Sequence, residues 1–266
     1  MRVRPSSSFP GWALLAAVAL AGCGREPPPP AVGLGQYQPA TLAEAVVVRN
    51  STAIENFLAL GVDPNEPEPD GTTPLMRAIH GHMPSTAQLL IDAGADVRKA
   101  NSYGVTALYI AARAGDSVAT RMLLAAGADA NAALPASGET VLMTAAQAGN
   151  ADVVRALLTG GVDGVSLASL GDARAAARVA EGNGYATPVN PAFDSNYADV
   201  NARERLYGRT ALIIAAIEGH LEIVRMLVEA GSDPNIVDAE GSTALSLARS
   251  YGNLDVAALL VEAGAN

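Results

Sequence analysis

Residues 208–231 read Gly-Arg-Thr-Ala-Leu-Ile-Ile-Ala-Ala-Ile-Glu-Gly-His-Leu-Glu-Ile-Val-Arg-Met-Leu-Val-Glu-Ala-Gly. Thr210 offers a side-chain oxygen where a helix N-cap needs one. Ala215 and Ala216 are small enough for a neighbouring helix to come close. Gly219 permits the left-handed backbone that ends a helix. Ile223, Val224, Leu227 and Val228 then supply the apolar stripe of a second helix, which Gly231 closes. The stretch predicts a helix–turn–helix unit.

The same frame recurs along the chain. A glycine, with Thr two residues later and Leu four residues later, stands at Gly71, Gly104, Gly138, Gly208 and Gly241, and a second glycine follows each at Gly94, Gly127, Gly161, Gly231 and Gly264. The caps are Thr73, Thr106, Thr140, Thr210 and Thr243, and Pro74 suits a first helical turn. Gly115, Gly149, Gly219 and Gly252 fall where the first helix must end. A unit of about 33 residues cannot bury its apolar face alone, so copies must stack into an array.

These motifs resemble the ankyrin-repeat family. Its Thr-Pro-Leu-His opening stands here as Thr73-Pro-Leu-Met76, its Gly-His turn as Gly219-His220, and its Gly-Ala-Asp ending as Gly94-Ala-Asp96 and Gly127-Ala-Asp129. Asn65, Asn131 and Asn235 fill the family's Asn position beyond that Asp. The resemblance covers residues 38–266 and implies an all-α solenoid of stacked helix-turn-helix pairs with β-turn fingers. It also implies a non-enzymatic protein-binding scaffold.

The register extends both ways. Counting back from Gly71 places a capping repeat over residues 38–70, with Leu42 and Gly61 at the Leu and helix-ending Gly offsets and a first helix around Ala43–Val48 that lacks the Thr cap, though Thr41 lies nearby. Between Gly138 and Gly208 the period fails. Gly171 and Gly182 keep the register and residues 172–181 read as a first helix, but residues 183–198 hold Gly184, Pro188 and Pro191 and no aliphatic pair. We read residues 171–207 as a degenerate repeat whose second helix is replaced by a loop. That gives about seven repeats, starting near 38, 71, 104, 138, 171, 208 and 241. An insertion between six repeats is the alternative.

The front of the chain is of another kind. Arg2 and Arg4 precede an apolar run, Trp12–Ala21, that is too short to span a bilayer. This is the form of a signal peptide over residues 1–22. Leu20-Ala21-Gly22-Cys23 resembles the bacterial lipobox, and the resemblance implies lipidation at Cys23, the only cysteine of the chain. Arg25, two residues beyond it, points by the same resemblance to the outer rather than the inner membrane. Ordinary cleavage after Ala21 is the alternative. Residues 23–37, with Pro27–Pro30, read as a Pro-rich tether reaching roughly 40 Å. The expected location is the periplasmic face of a bacterial envelope, as an outer-membrane lipoprotein and a monomer.

The net charge of −10 makes nucleic acid an unfavourable partner, because an acidic surface repels phosphates, and favours basic partners. His80 and His82 lie close in sequence, but a pair of His lacks the further ligands zinc wants, so no metal and no cofactor is expected. No phosphate-binding loop, metalloprotease motif or nucleophile elbow is present, and no catalytic residue is assigned.

In the family, partners bind the finger tips and the exposed face of the first helices. Carried onto this chain, those places hold His80, Tyr103, Arg113, Glu139, Gln147, Tyr207, Arg209, Glu218, Glu240 and Tyr251, while Tyr185, Phe193 and Tyr197 cluster in the irregular loop. Tyr and Arg are frequent binding hot spots. The expected partner is an unidentified envelope or periplasmic protein, with a non-enzymatic adaptor or scaffold role. The alternative is an immunity lipoprotein that neutralises a toxin enzyme in the periplasm.

Overall fold

In a computed structural model, the structure describes residues 38–162, 164–169 and 197–266. Expectations for the signal peptide, Cys23, the tether, Tyr185 and Phe193 lie outside them.

Six helix pairs are present among the described residues: α1 (Leu42–Val47) with α2 (Ser51–Ala59), α3 (Pro74–His80) with α4 (Pro84–Asp92), and α5 (Ala107–Ala114) with α6 (Ser117–Ala125). They continue as α7 (Val141–Gln147) with α8 (Ala151–Leu158), α9 (Ala211–Glu218) with α10 (Leu221–Glu229), and α11 (Ala244–Ser250) with α12 (Leu254–Glu262). The capping expected of the five threonines is observed. Each sits in extended backbone and accepts from the amide three residues on, as Thr210 does from Ile213 at 3.3 Å. In the first pair the sequence departs by one residue from the frame, and the helix follows: Thr41 caps α1 through the Glu44 amide. This corrects the expectation that the first helix lacks a Thr cap: the cap is present, one position later in the frame than in the other layers.

Gly115, Gly149, Gly219 and Gly252 all have positive φ where a first helix ends. Here the conformation is required. An added Cβ would also strike the next layer's turn side chain, Asn150 at Gly115, His220 at Gly149 and Asn253 at Gly219. His82 takes the same left-handed place in the second layer, with φ of 51°.

The helices form two rows. First helices pack on first helices in the order α1, α3, α5, α7, α9, α11, and second helices continue in parallel from α4 through α6, α8 and α10 to α12. One column of buried leucines, Leu90, Leu123, Leu157, Leu227 and Leu260, runs through the second helices, and another, Leu42, Leu75, Leu108, Leu142, Leu212 and Leu245, through the first. Ala45, Ala78, Ala111, Ala145, Ala215 and Ala248 are all fully buried between successive first helices, which is why the spacing tolerates nothing larger. The fingers are short hairpins marked by isolated antiparallel bridges, Ala100 with Thr106, Ala133 with Thr140 and Val237 with Thr243.

The described residues on either side of the irregular segment stack directly on each other. α7 packs directly on α9, and α8 on α10, so no layer stands between them. In a regular layer the residue after the helix-ending glycine donates to the buried leucine, as Ala95 does to the Leu90 carbonyl. In the fourth layer that donor is Ala198, to the Leu157 carbonyl at 3.1 Å. The inter-layer asparagine agrees. Asn65 holds the Gly94 carbonyl and the Asp96 amide, whereas Asn131 holds the Tyr197 carbonyl at 3.1 Å and the Asp199 amide at 2.6 Å. Ala198 and Asp199 thus take, in the fourth layer, the places that Ala95 and Asp96 hold in the second. Residues 199–207 form the finger of the fifth layer, and the rest of the expected degenerate repeat over 171–207 lies outside the described residues.

Candidate interaction surface

The fingers are held rigid by their own side chains. Asp70 accepts the Thr72 amide, Asn101 accepts those of Tyr103 and Val105, and Asp238 accepts those of Glu240 and Ser242. The Thr72 backbone and hydroxyl hydrogen bonds hold the Asp70 carboxyl below its usual value. Beside it, Glu68 takes both ends of the Arg77 guanidinium, and that hydrogen bonding raises the Arg77 pKa further.

The finger between α8 and α9 is fixed more heavily. Glu204 is buried, and its carboxylate accepts three backbone amides, from Leu206 at 2.5 Å, Tyr207 at 2.7 Å and Arg209 at 3.1 Å. Arg205 ties this finger to the previous one through the carbonyls of Ser137 and Pro135, and Arg203 ties it to the next through Val237. A finger locked this way holds Leu206 and Tyr207 outward, 67% and 49% exposed. Exposing a leucine beside a tyrosine on a rigid edge costs apolar burial and suits a contact surface.

A groove lies between the fourth and fifth layers. Its walls are Ser137, Glu139, Glu204, Leu206, Tyr207 and Arg209 on the fingers, and its floor is Gln147, Ile214, Ile217 and Glu218 on α7 and α9. Arg209 is anchored at its edge. Its guanidinium lies over the Tyr207 ring, 4.7 Å from the centroid. Its Nε, buried and without a hydrogen bond, lies 3.9 Å from Oδ2 of the buried Asp238.

Glu139, Gln147, Tyr207, Arg209 and Glu218, five of the residues expected to meet a partner, come together in this groove. The others are spread along the same edge and do not join it. His80, Tyr103, Arg113, Glu240 and Tyr251 are exposed in their own layers, and Tyr197 is half-buried at the turn that re-enters the stack. The finger tyrosines Tyr103 and Tyr251 stand 73% and 61% exposed rather than packed on a neighbour, while Tyr109 is buried. Sequence reading missed Leu206, Ile214, Ile217 and Glu204. Leu206 had a signal, since it is an apolar residue at a finger-tip offset; Glu204 had none, because its value lies in the three amides it gathers. Among the described residues, no group of three or more His, Cys, Asp and Glu could hold a metal ion. His82 instead faces Asp116 at 3.4 Å.

Family models for ankyrin repeats match residues 42–134, 93–168 and 175–266. The chain belongs to the ankyrin-repeat family. The crystal structure of an ankyrin repeat domain from Acinetobacter baumannii AYE superposes with a TM-score of 0.67 at 28% identity, covering 85% of this chain and 98% of that one. A mitochondrial disaggregase from Bos taurus is 54% identical over 44 residues, 16% of this chain and 6% of that protein's length. So short an overlap carries nothing of the activity in that protein's name to this chain. An ankyrin-repeat array is generally a non-enzymatic scaffold for protein–protein interaction, and its rigid fingers and first helices are the parts that project here.

Proposed function

We propose that this ankyrin-repeat protein is a lipid-anchored adaptor of the bacterial envelope that holds a protein partner on the groove between its fourth and fifth layers. The observation that carries the binding half is the convergence of Glu139, Gln147, Tyr207, Arg209 and Glu218 on one groove beside the exposed Leu206. Tyr and Arg anchors set among half-buried aliphatic side chains have the composition of an interface hot spot. The lipobox-like Leu20-Ala21-Gly22-Cys23 supports the anchor, with a diacylglycerol on Cys23 and a Pro-rich tether lifting a monomeric array from the outer membrane into the periplasm.

Two measurements test the two halves. With the wild-type leader, metabolic labelling with an alkyne fatty acid marks the protein and sedimentation finds it with outer membranes. Cys23→Ser abolishes both, and a Cys23→Ser protein still labelled and membrane-bound contradicts the anchor. A photo-crosslinking residue at Gln147 captures a discrete partner band that the same residue at Glu55, on α2, does not; equal labelling from both positions contradicts the groove. The acidity of the chain favours one second reading, an inhibitor that covers a basic toxin enzyme. Unchanged survival of a deletion strain beside toxin-delivering siblings argues against it.

A further inference from the structure

The groove has a charge preference of its own, and resting on the binding role above, we infer that it takes a basic segment of its protein partner: a Lys or Arg side chain between Glu218 and Glu139, with an apolar neighbour on Leu206 and Ile217. Three carboxylates and a single guanidinium line this groove. They are not equivalent. Glu204 spends its charge on three backbone amides of its own finger. Arg209 faces Asp238 and the Tyr207 ring, so its charge is already opposed by a carboxylate outside the lining. Glu139 gives one oxygen to the Thr144 hydroxyl at 2.8 Å and keeps the other. Glu218 is exposed at the end of α9 and makes no hydrogen bond or ion pair with any described residue. The charge left facing the groove is therefore negative, at one carboxylate on a finger of the fourth layer and one on the first helix of the fifth.

The position of Glu218 adds to this. It sits in the last turn of α9, where the carbonyl end of a helix disfavours a carboxylate and favours a cation. A cation arriving there meets both the carboxylate and the helix end. Leu206, held outward by Glu204, and the half-buried Ile217 supply the apolar contact that a charge alone lacks. An acidic segment would meet the same two carboxylates unscreened. The chain as a whole, at −10, steers the encounter the same way.

The test uses the full soluble chain with Cys23→Ser and two fluorescein-labelled peptides of alternating Leu and Lys or alternating Leu and Glu, read by anisotropy at low and physiological salt. The Lys peptide binds saturably and more weakly at higher salt; the Glu peptide does not bind. Glu218→Lys, on an exposed side chain with no contacts to lose, weakens the Lys peptide about tenfold, as loss of one close charge pair predicts. Glu222→Lys, an equal change of net charge on exposed α10, moves it less than about twofold, which separates local recognition from the overall field. Equal effects of the two variants, preference for the Glu peptide, or no saturable binding up to millimolar peptide each overturn the inference. A partner still captured from Gln147 in any of those cases leaves the binding role standing without its basic class.

Discussion

If the array passes straight from the fourth layer to the fifth, removing residues 162–197 and joining Gly161 to Ala198 should restore a regular repeat. Leu157 would then precede Ala198 by the same spacing that separates Leu90 from Ala95, and the hydrogen bond between them would close the same short turn. Two terms set the magnitude. Shortening the connection between those residues about tenfold recovers loop-closure entropy of about 2 kcal/mol. Against this, Leu167 is only 5% exposed, and its loss costs about 1.5–3 kcal/mol of burial. The two nearly cancel, so the net change stays within about 2 kcal/mol, or about 4–8 °C in melting temperature for a domain of this size. A stacked layer would behave differently. The fifth layer buries Leu212, Ile213, Ile223, Val224, Met226 and Leu227, and losing a layer of that kind would cost well over about 9 kcal/mol. Thermal unfolding followed by circular dichroism decides between them. A fall of more than about 20 °C, or loss of a cooperative transition, refutes the reasoning.

Three further outcomes follow from the caps and turns. Thr210→Ala removes the acceptor for the Ile213 amide in a buried cap and should cost about 1 kcal/mol in urea unfolding, with an unchanged value speaking against the cap. His82→Gly relieves a left-handed backbone on a non-glycine residue and should gain about 1 kcal/mol by the same assay, whereas a loss would mean that its contact with Asp116 outweighs the strain. The Asp70 carboxyl is held below its usual 3.8 by the Thr72 hydrogen bonds, so its contribution to stability is present above that value and is lost as pH falls through the lower folded value. Asp70→Asn should therefore flatten the fall of stability as pH drops below the ordinary carboxylate range, and an unchanged acid profile would contradict the assignment.

Most of the array was legible because each local signal has one physical use. A Thr before Leu-x-x-Ala caps, and all five such threonines do; a glycine eleven residues past the anchor ends the first helix left-handed, and the four named ones do. The Asn beyond each helix-ending turn reads as a turn former but acts across layers, as Asn65 and Asn131 show. What spacing could not convey was adjacency. Gly171 and Gly182 keep the period by position, yet packing is decided by which leucine column closes, and Leu157 closes on Ala198. The groove was half legible for a related reason. Offsets from an anchor glycine name residues on one repeat, so they found Glu139 and Gln147 on one layer and Tyr207, Arg209 and Glu218 on another. That these two layers touch, and that Glu204 props Leu206 between them, depends on the same adjacency.

That adjacency can be measured in solution. With Cys23 replaced by Ser, spin labels at Gln147→Cys and Glu218→Cys report the separation of α7 and α9 by electron paramagnetic resonance. Direct stacking predicts the spacing of neighbouring helices, with axes about 8–10 Å apart before the label arms are added. A separation near twice that, as an intervening pair of helices would impose, would contradict the account.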